Sequence, residues 1–142
     1  MANFIMNNMN DIMDTKIELL FGITEAITSA SETGVRGKIR DRHIALSRNI
    51  IGYMLVAELG LTVMRAGSII NRHHSTISYY LRTFDGSFEY DSEFRETYTL
   101  ISETFWGNYI QAERRDIDLQ VVSLQNLINK LEAKKQSLTK IF

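Results

Sequence analysis

An all-α fold is predicted by three features of this 142-residue chain. It contains no proline. Its apolar residues recur three and four apart over long stretches that hold few turn signals. Its last quarter carries an alternation of spacings of four and three between residues that are apolar except for Lys135. Together these predict a helix-turn-helix bundle of about six helices followed by a long C-terminal coiled-coil helix. Apolar residues make up 44% of the chain, enough to close a core.

The elements follow in order. Residues 1–12 are rich in Asn and Met and read as an N-terminal tail, or else a segment that docks a partner. Residues 13–106 form the body. Ile12, Ile17, Leu19, Leu20 and Phe21 predict a first helix that ends near Gly22. Thr24 suits the N-cap of a second short helix with Ala26, Ile27 and Ala30 inward. Residues 31–38, with Gly34 and Gly37, read as a loop. Ile44, Leu46, Ile50, Ile51, Met54, Leu55 and Leu59 then recur at helical spacing from about Arg42 to Leu59, with Gly60 as the stop. Thr62 caps a helix over Val63–Ile70, Asn71-Arg72 makes a turn, and His74–Phe84 forms the next helix, ended by Asp85-Gly86. Two short helices joined by about three residues are the helix-turn-helix arrangement. Asp91 or Ser92 caps a further helix through Phe94, Tyr98, Ile101 and Phe105.

Residues 107–142 are expected to be a dimerisation segment. Ile117, Val121, Leu124, Ile128, Leu131, Lys135, Leu138 and Phe142 repeat with the 3.5-residue period of a coiled coil. β-branched Val121 and Ile128 fall at a, and Leu124, Leu131 and Leu138 at d. This pattern favours two parallel strands, with Lys135 at a tuning register at a cost in stability. The alternative is a helix folded back on its own body.

Charge is unevenly distributed. Residues 36–82 hold eight basic and two acidic side chains, a net of +6; the whole chain is −1, which leaves −7 for the rest. A basic centre of this kind suits a polyanionic partner. The basic residues Arg36, Lys38, Arg40 and Arg42 cluster before the long helix. Arg72, His73, His74, Ser75 and Thr76 sit at the turn and the first residues of the expected recognition helix. Their side chains suit base edges and phosphates. Arg82 fits a phosphate contact or a solvated charge better than a base reader, and one of Tyr79 and Tyr80 is expected in the core.

Other classes find less support. No Ser-His-Asp, Cys-His or paired-carboxylate constellation stands out, so no enzyme is expected. The chain lacks cysteine, and His43, His73 and His74 fit no usual zinc spacing; no metal or other cofactor is expected. The apolar runs fall short of the ~18–20 residues that span a bilayer, and Met1–Met6 lacks the features of a secretory signal. The expected location is the cytoplasm, that of the host if a phage encodes the chain.

Two blocks give the chain a resemblance to a known family. Arg40-Asp41-Arg42-His43-Ile44-Ala45 resembles the Arg-Pro-Arg-Gln-x-Ala that starts a long helix in the C-terminal DNA-binding domain of the bacterial replication initiator DnaA. Arg72-His73-His74-Ser75-Thr76-Ile77 resembles that domain's Arg-Asp-His-Ser/Thr-Thr-Val signature. The likeness spans about residues 13–102. It implies a recognition helix in the major groove and a basic loop on the adjacent minor groove or phosphates. It also implies contacts to DNA from Arg72, His74, Ser75 and Thr76. His73 stands where the family has Asp, which removes an acceptor for a cytosine amino group. Asp41 stands where it has Pro, and Arg65-Ala66-Gly67 where it has Glu-Ile-Gly. No Walker-type phosphate loop is present.

The expectation is therefore a non-enzymatic, sequence-specific binder of double-stranded DNA that acts as a homodimer in replication-origin binding or transcriptional control. A stand-alone phage or mobile-element protein is a plausible host for such a domain. Two alternatives stay open. One is a virion-assembly or DNA-packaging protein similar in layout to a small terminase subunit. The other is a protein-interaction module, with a replication or packaging protein as its partner.

Overall fold

The computed structural model describes the backbone of residues 2–141 and the side chains of residues 9–140. Its secondary structure is helical, with six helices and no strand among the described residues: α1 (Ala2–Thr28), α2 (Glu32–Arg36), α3 (Arg42–Ala57), α4 (Val63–Ile69), α5 (His74–Tyr90) and α6 (Ser92–Ile141). The all-α class matches the sequence pattern. The chain divides into two compact units, Met1–Phe105 and Trp106–Phe142. No helix among the described residues is long and apolar enough to cross a membrane.

Several boundaries differ from the sequence reading, each for a local reason. Residues 2–12 are helical rather than a tail and begin α1. Gly22 and Thr24 do not break that helix. Gly22 has open space around it, and the Thr24 hydroxyl is turned inward, donating to the Leu20 carbonyl at 2.7 Å. A threonine that satisfies itself inside a helix has no need to cap a new one. Ser29, at φ 66°, ends α1 instead. Residues 31–38 are not a plain loop. Ser31 caps α2 by accepting from the Gly34 amide at 3.1 Å, Glu32 pairs with Arg36 at 2.6 Å, and Val35 is fully buried beneath them. Asp85-Gly86 does not end α5, whose last turn is held by ring contacts. Phe84 stacks on Tyr53 at 3.7 Å, and Phe88 lies 5.8 Å from Phe84 and 6.0 Å from Tyr98. The Arg95 guanidinium also donates to the Phe88 and Glu89 carbonyls, each at 3.1 Å, closing the end of that helix. Asp91 then caps α6 by accepting from the Phe94 amide at 3.1 Å. The helix expected around residues 92–105 and the C-terminal segment are one element, α6.

Within unit Met1–Phe105, α3 is the hub and packs against α1, α2, α4 and α5. Its Ile50, Ile51, Met54 and Leu55 are fully buried with Leu20, Val35, Ile70, Ile77, Ile101 and Phe105. Each such side chain contributes roughly 1.5–3 kcal/mol by leaving water. Polar ties fix the approach of the outer helices. Ser47 Oγ lies 2.7 Å from Thr28 Oγ1, joining α3 to α1. The Glu58 carboxylate, at the end of α3, accepts from Tyr98 and from Ser102, each at 3.0 Å. Gly52 lets α5 approach closely, since a Cβ there would sit 2.8 Å from the Tyr80 ring and 3.2 Å from Ile77. Gly60, at φ +77°, ends the passage out of α3.

Burial and the adjacent Glu58 carboxylate push the Tyr98 phenol up to about 12. An unfolded tyrosine ionises near ~10, so the unfolded chain releases this proton first. The stability that Tyr98 contributes is therefore complete below ~10 and lost as pH rises through ~12. Urea unfolding at pH about 9 and about 11 should show a lower midpoint at the higher pH, and Tyr98→Phe should reduce that drop.

Candidate nucleic-acid interface

The α4–turn–α5 unit is built on backbone closure. Asn71 takes a left-handed conformation at φ 56°. The Arg72 amide then reaches back to the Gly67 carbonyl at 2.8 Å and the Asn71 amide to Ser68 at 3.3 Å. This paired closure is a Schellman motif with Asn in place of the usual Gly. Gly67 is required by the same geometry, because a Cβ there would lie 2.6 Å from the Arg72 carbonyl oxygen. His73 caps α5: its Nδ1 accepts from the Ser75 amide at 3.2 Å and lies 2.8 Å from Ser75 Oγ. The signature residues thus meet at one place, the N-terminus of α5, where the helix dipole favours an anion.

The loop between α2 and α3 is pinned against this turn. Asn71 Nδ2 donates to the Arg36 carbonyl at 3.3 Å, and Arg72 Nη2 donates to the Gly37 carbonyl at 2.6 Å. Residues 37–41 are therefore held beside the start of α5. From the inner side the same loop is held by Arg48. Its side chain is only 5% exposed, with Nε donating to Val35 O at 2.8 Å and Nη2 lying 3.3, 3.2 and 3.0 Å from the carbonyls of Gly34, Gly37 and Ile39. Burial, and then the nearby Arg72 charge, lower its pKa, while Tyr80 opposes that shift. Burial likewise raises the Tyr80 phenol.

The expected contact residues divide by placement. Lys38 and Arg40 are exposed on the pinned loop and have no ion pair among the described residues. His74 and Ser75 are exposed at the head of α5, and the His74 ring lies 4.1 Å from that of His73. Arg72 is half-buried with its guanidinium turned to Gly37 O and to its neighbour Asn71 O at 2.9 Å, so it acts first as a positioning residue. Thr76 is half-buried on the flank of α5. Arg36 closes α2 and lies 5.4 Å over the Phe21 ring while paired with Glu32. Arg42, at the start of α3, pairs with Glu93. These two cations face local partners rather than open solvent alone.

Sequence reasoning missed Arg48 as part of the site. It counted toward the basic centre only as charge. The signal was present: Arg48 lies four residues after Ile44 and three before Ile51, on the buried face of α3.

Unit Trp106–Phe142 is a single helical segment. Val121, Leu124, Ile128, Leu131 and Leu138 lie along it with exposures of 50%, 60%, 52%, 58% and 53%, and Ile117 with 57%. Among the described residues, nothing in that unit covers the heptad seam. The chain matches no protein-family model and no curated protein sequence.

Three substitutions test this construction by denaturant unfolding. Gly67→Ala should cost ~1–3 kcal/mol, because backbone must move to admit the methyl group. Arg48→Met should cost on the order of 3 kcal/mol by leaving loop carbonyls without a donor. His73→Asp should stabilise by about 0.5–1 kcal/mol, as a carboxylate caps a helix better than an imidazole does.

Proposed function

We propose that this chain is a non-enzymatic, sequence-specific double-stranded-DNA-binding protein that works as a pair of identical subunits. The α5 helix enters the major groove, and the loop bearing Lys38 and Arg40 lies on the adjacent minor groove or phosphates. The likeness of Arg40–Ala45 and Arg72–Ile77 to blocks of the DnaA C-terminal domain supports a role in replication-origin binding or transcriptional control. The observation that carries this reading is the double tie of Asn71 and Arg72 to the α2–α3 loop. It sets two exposed cations beside a helix N-terminus whose dipole favours phosphate. The left-handed turn and the Gly67 contact supply the close packing that a helix-turn-helix needs.

The second copy is inferred from the C-terminal seam. From Ile117 to Leu138 a straight helix runs ~32 Å, with an apolar residue on one stripe at every turn except that of Lys135. A second copy offers the same stripe at the same spacing and buries both. Paired subunits then read paired half-sites.

Fluorescence anisotropy of the full chain against a random duplex pool at two salt concentrations, followed by sequencing of the bound fraction, tests the reading. Affinity should fall steeply with salt, and a two-fold symmetric motif should be enriched. Salt-sensitive binding with no motif would favour DNA packaging, and absence of binding would favour a protein partner. Lys38→Glu with Arg40→Glu should weaken binding at least about tenfold at low salt. A chain ending at residue 115 should sediment as a monomer and bind half-sites weakly; if it remains a dimer, the seam is not the interface.

A further inference from the structure

We propose that Tyr79 and Arg82, together with Ser75, form the sequence-reading face of α5. This inference rests on the DNA-binding reading above. Of the expected contacts to bases or phosphates, Arg72, His74, Ser75 and Thr76, it keeps Ser75 as a reader, and it makes Arg82 a base reader in place of the expected phosphate contact or solvated charge.

The helical geometry is decisive. Ile77 is the fully buried residue of α5 and marks its inner side, with Tyr80 and Phe84 on the same side against Gly52 and Tyr53. At ~100° per residue, Ser75, Tyr79, Arg82 and Gly86 fall on the side opposite Ile77. All four are exposed, Tyr79 by 52%. Arg72 precedes the helix and is committed to the loop carbonyl, and Thr76 lies on the flank. A helix laid in a groove presents its outer side to the bases, so Ser75, Tyr79 and Arg82 meet them first.

The pair is also ordered before any ligand arrives. The Arg82 guanidinium lies 5.6 Å over the Tyr79 ring, which holds a long flexible side chain over a rigid one. A guanidinium restrained in this way loses less entropy on contact, and its fork matches the O6 and N7 acceptors of guanine. The Tyr79 ring offers an apolar face to a thymine methyl and a hydroxyl to a base edge. From residue 75 to residue 82 the helix advances about 10 Å, close to the ~12 Å width of the major groove. Gly86 is next along the outer side, and the exposed carboxylates of Asp85 and Glu89 flank it and repel phosphate, which limits the contact to the turns before it.

The test is selection from a random duplex pool with the full-length wild type, Tyr79→Ala, Arg82→Ala and Arg82→Lys, with circular dichroism to show that each is folded. Both residues are exposed, so fold should be retained. The wild type should enrich a motif. Arg82→Ala and Arg82→Lys should flatten it at one guanine position and weaken the best site by about tenfold to a hundredfold. Arg82→Lys should leave binding to unrelated duplex unchanged, because the charge remains. Tyr79→Ala should flatten a neighbouring position. An unchanged motif in these variants would overturn the proposal while leaving the DNA-binding reading intact. A wild type that enriches no motif would overturn both.

Discussion

A buried arginine without a carboxylate partner governs this structure. Arg48 projects from the hub helix into the core, and its charge is met by carbonyl oxygens of α2 (Gly34, Val35) and of the α2–α3 loop (Gly37, Ile39) instead of an anion. A guanidinium suits this task because it carries five donors in a fixed plane and stays charged when desolvated. Gly34 O also takes the Gly37 amide and Gly37 O also takes Arg72, while Val35 O and Ile39 O are met by Arg48. The charge and the loop therefore compensate one another: the loop's carbonyls solvate Arg48, and Arg48 fixes the path of the loop.

Arg72 meets that loop from the other side through Gly37 O. The carbonyl of Gly37 thus accepts from two guanidinium groups, one from the core and one from the turn. Burial, and then the like charge of Arg72, lower the Arg48 pKa, yet both guanidinium groups are held by that one oxygen. The turn itself is fixed by Asn71 at positive φ and by the absence of a side chain at Gly67. The consequence is that loop and α5 form one rigid surface. Lys38 and Arg40 contribute charge to it, the end of α5 contributes its dipole, and its outer side contributes Tyr79 and Arg82. The C-terminal helix adds a separate property, an apolar stripe with no cover in its own unit.

Much of this was legible in the residues. The α3 boundaries follow from a strict apolar spacing and a terminal Gly60, and α4 from the Thr62 cap. The heptad run is plain because only Lys135 interrupts its apolar stripe. The failures share a cause. Gly22, Thr24, Gly34 and Gly86 are breakers or caps only when the chain around them is free. Here tertiary contacts override the local preference: Thr24 bonds inward, Val35 pins a short helix, and the Tyr53, Phe84 and Phe88 rings carry α5 past Gly86. In the site, residue type showed that cations were present but not which were spent internally. Arg36 pairs with Glu32 at i,i+4 spacing, but Arg42, Arg48 and Arg72 have partners distant in sequence, and such pairing is set by three-dimensional closure rather than by spacing.

The central claim is that the pinned loop and the outer side of α5 act as one DNA-binding surface. Amide hydrogen exchange of the full chain, with and without saturating duplex DNA at low salt, addresses it most directly. Protection confined to the segment around residues 37–42 and to the first turns of α5, both together, is the predicted result. Protection of only one of the two, or of α1 or the C-terminal unit in their place, would contradict it.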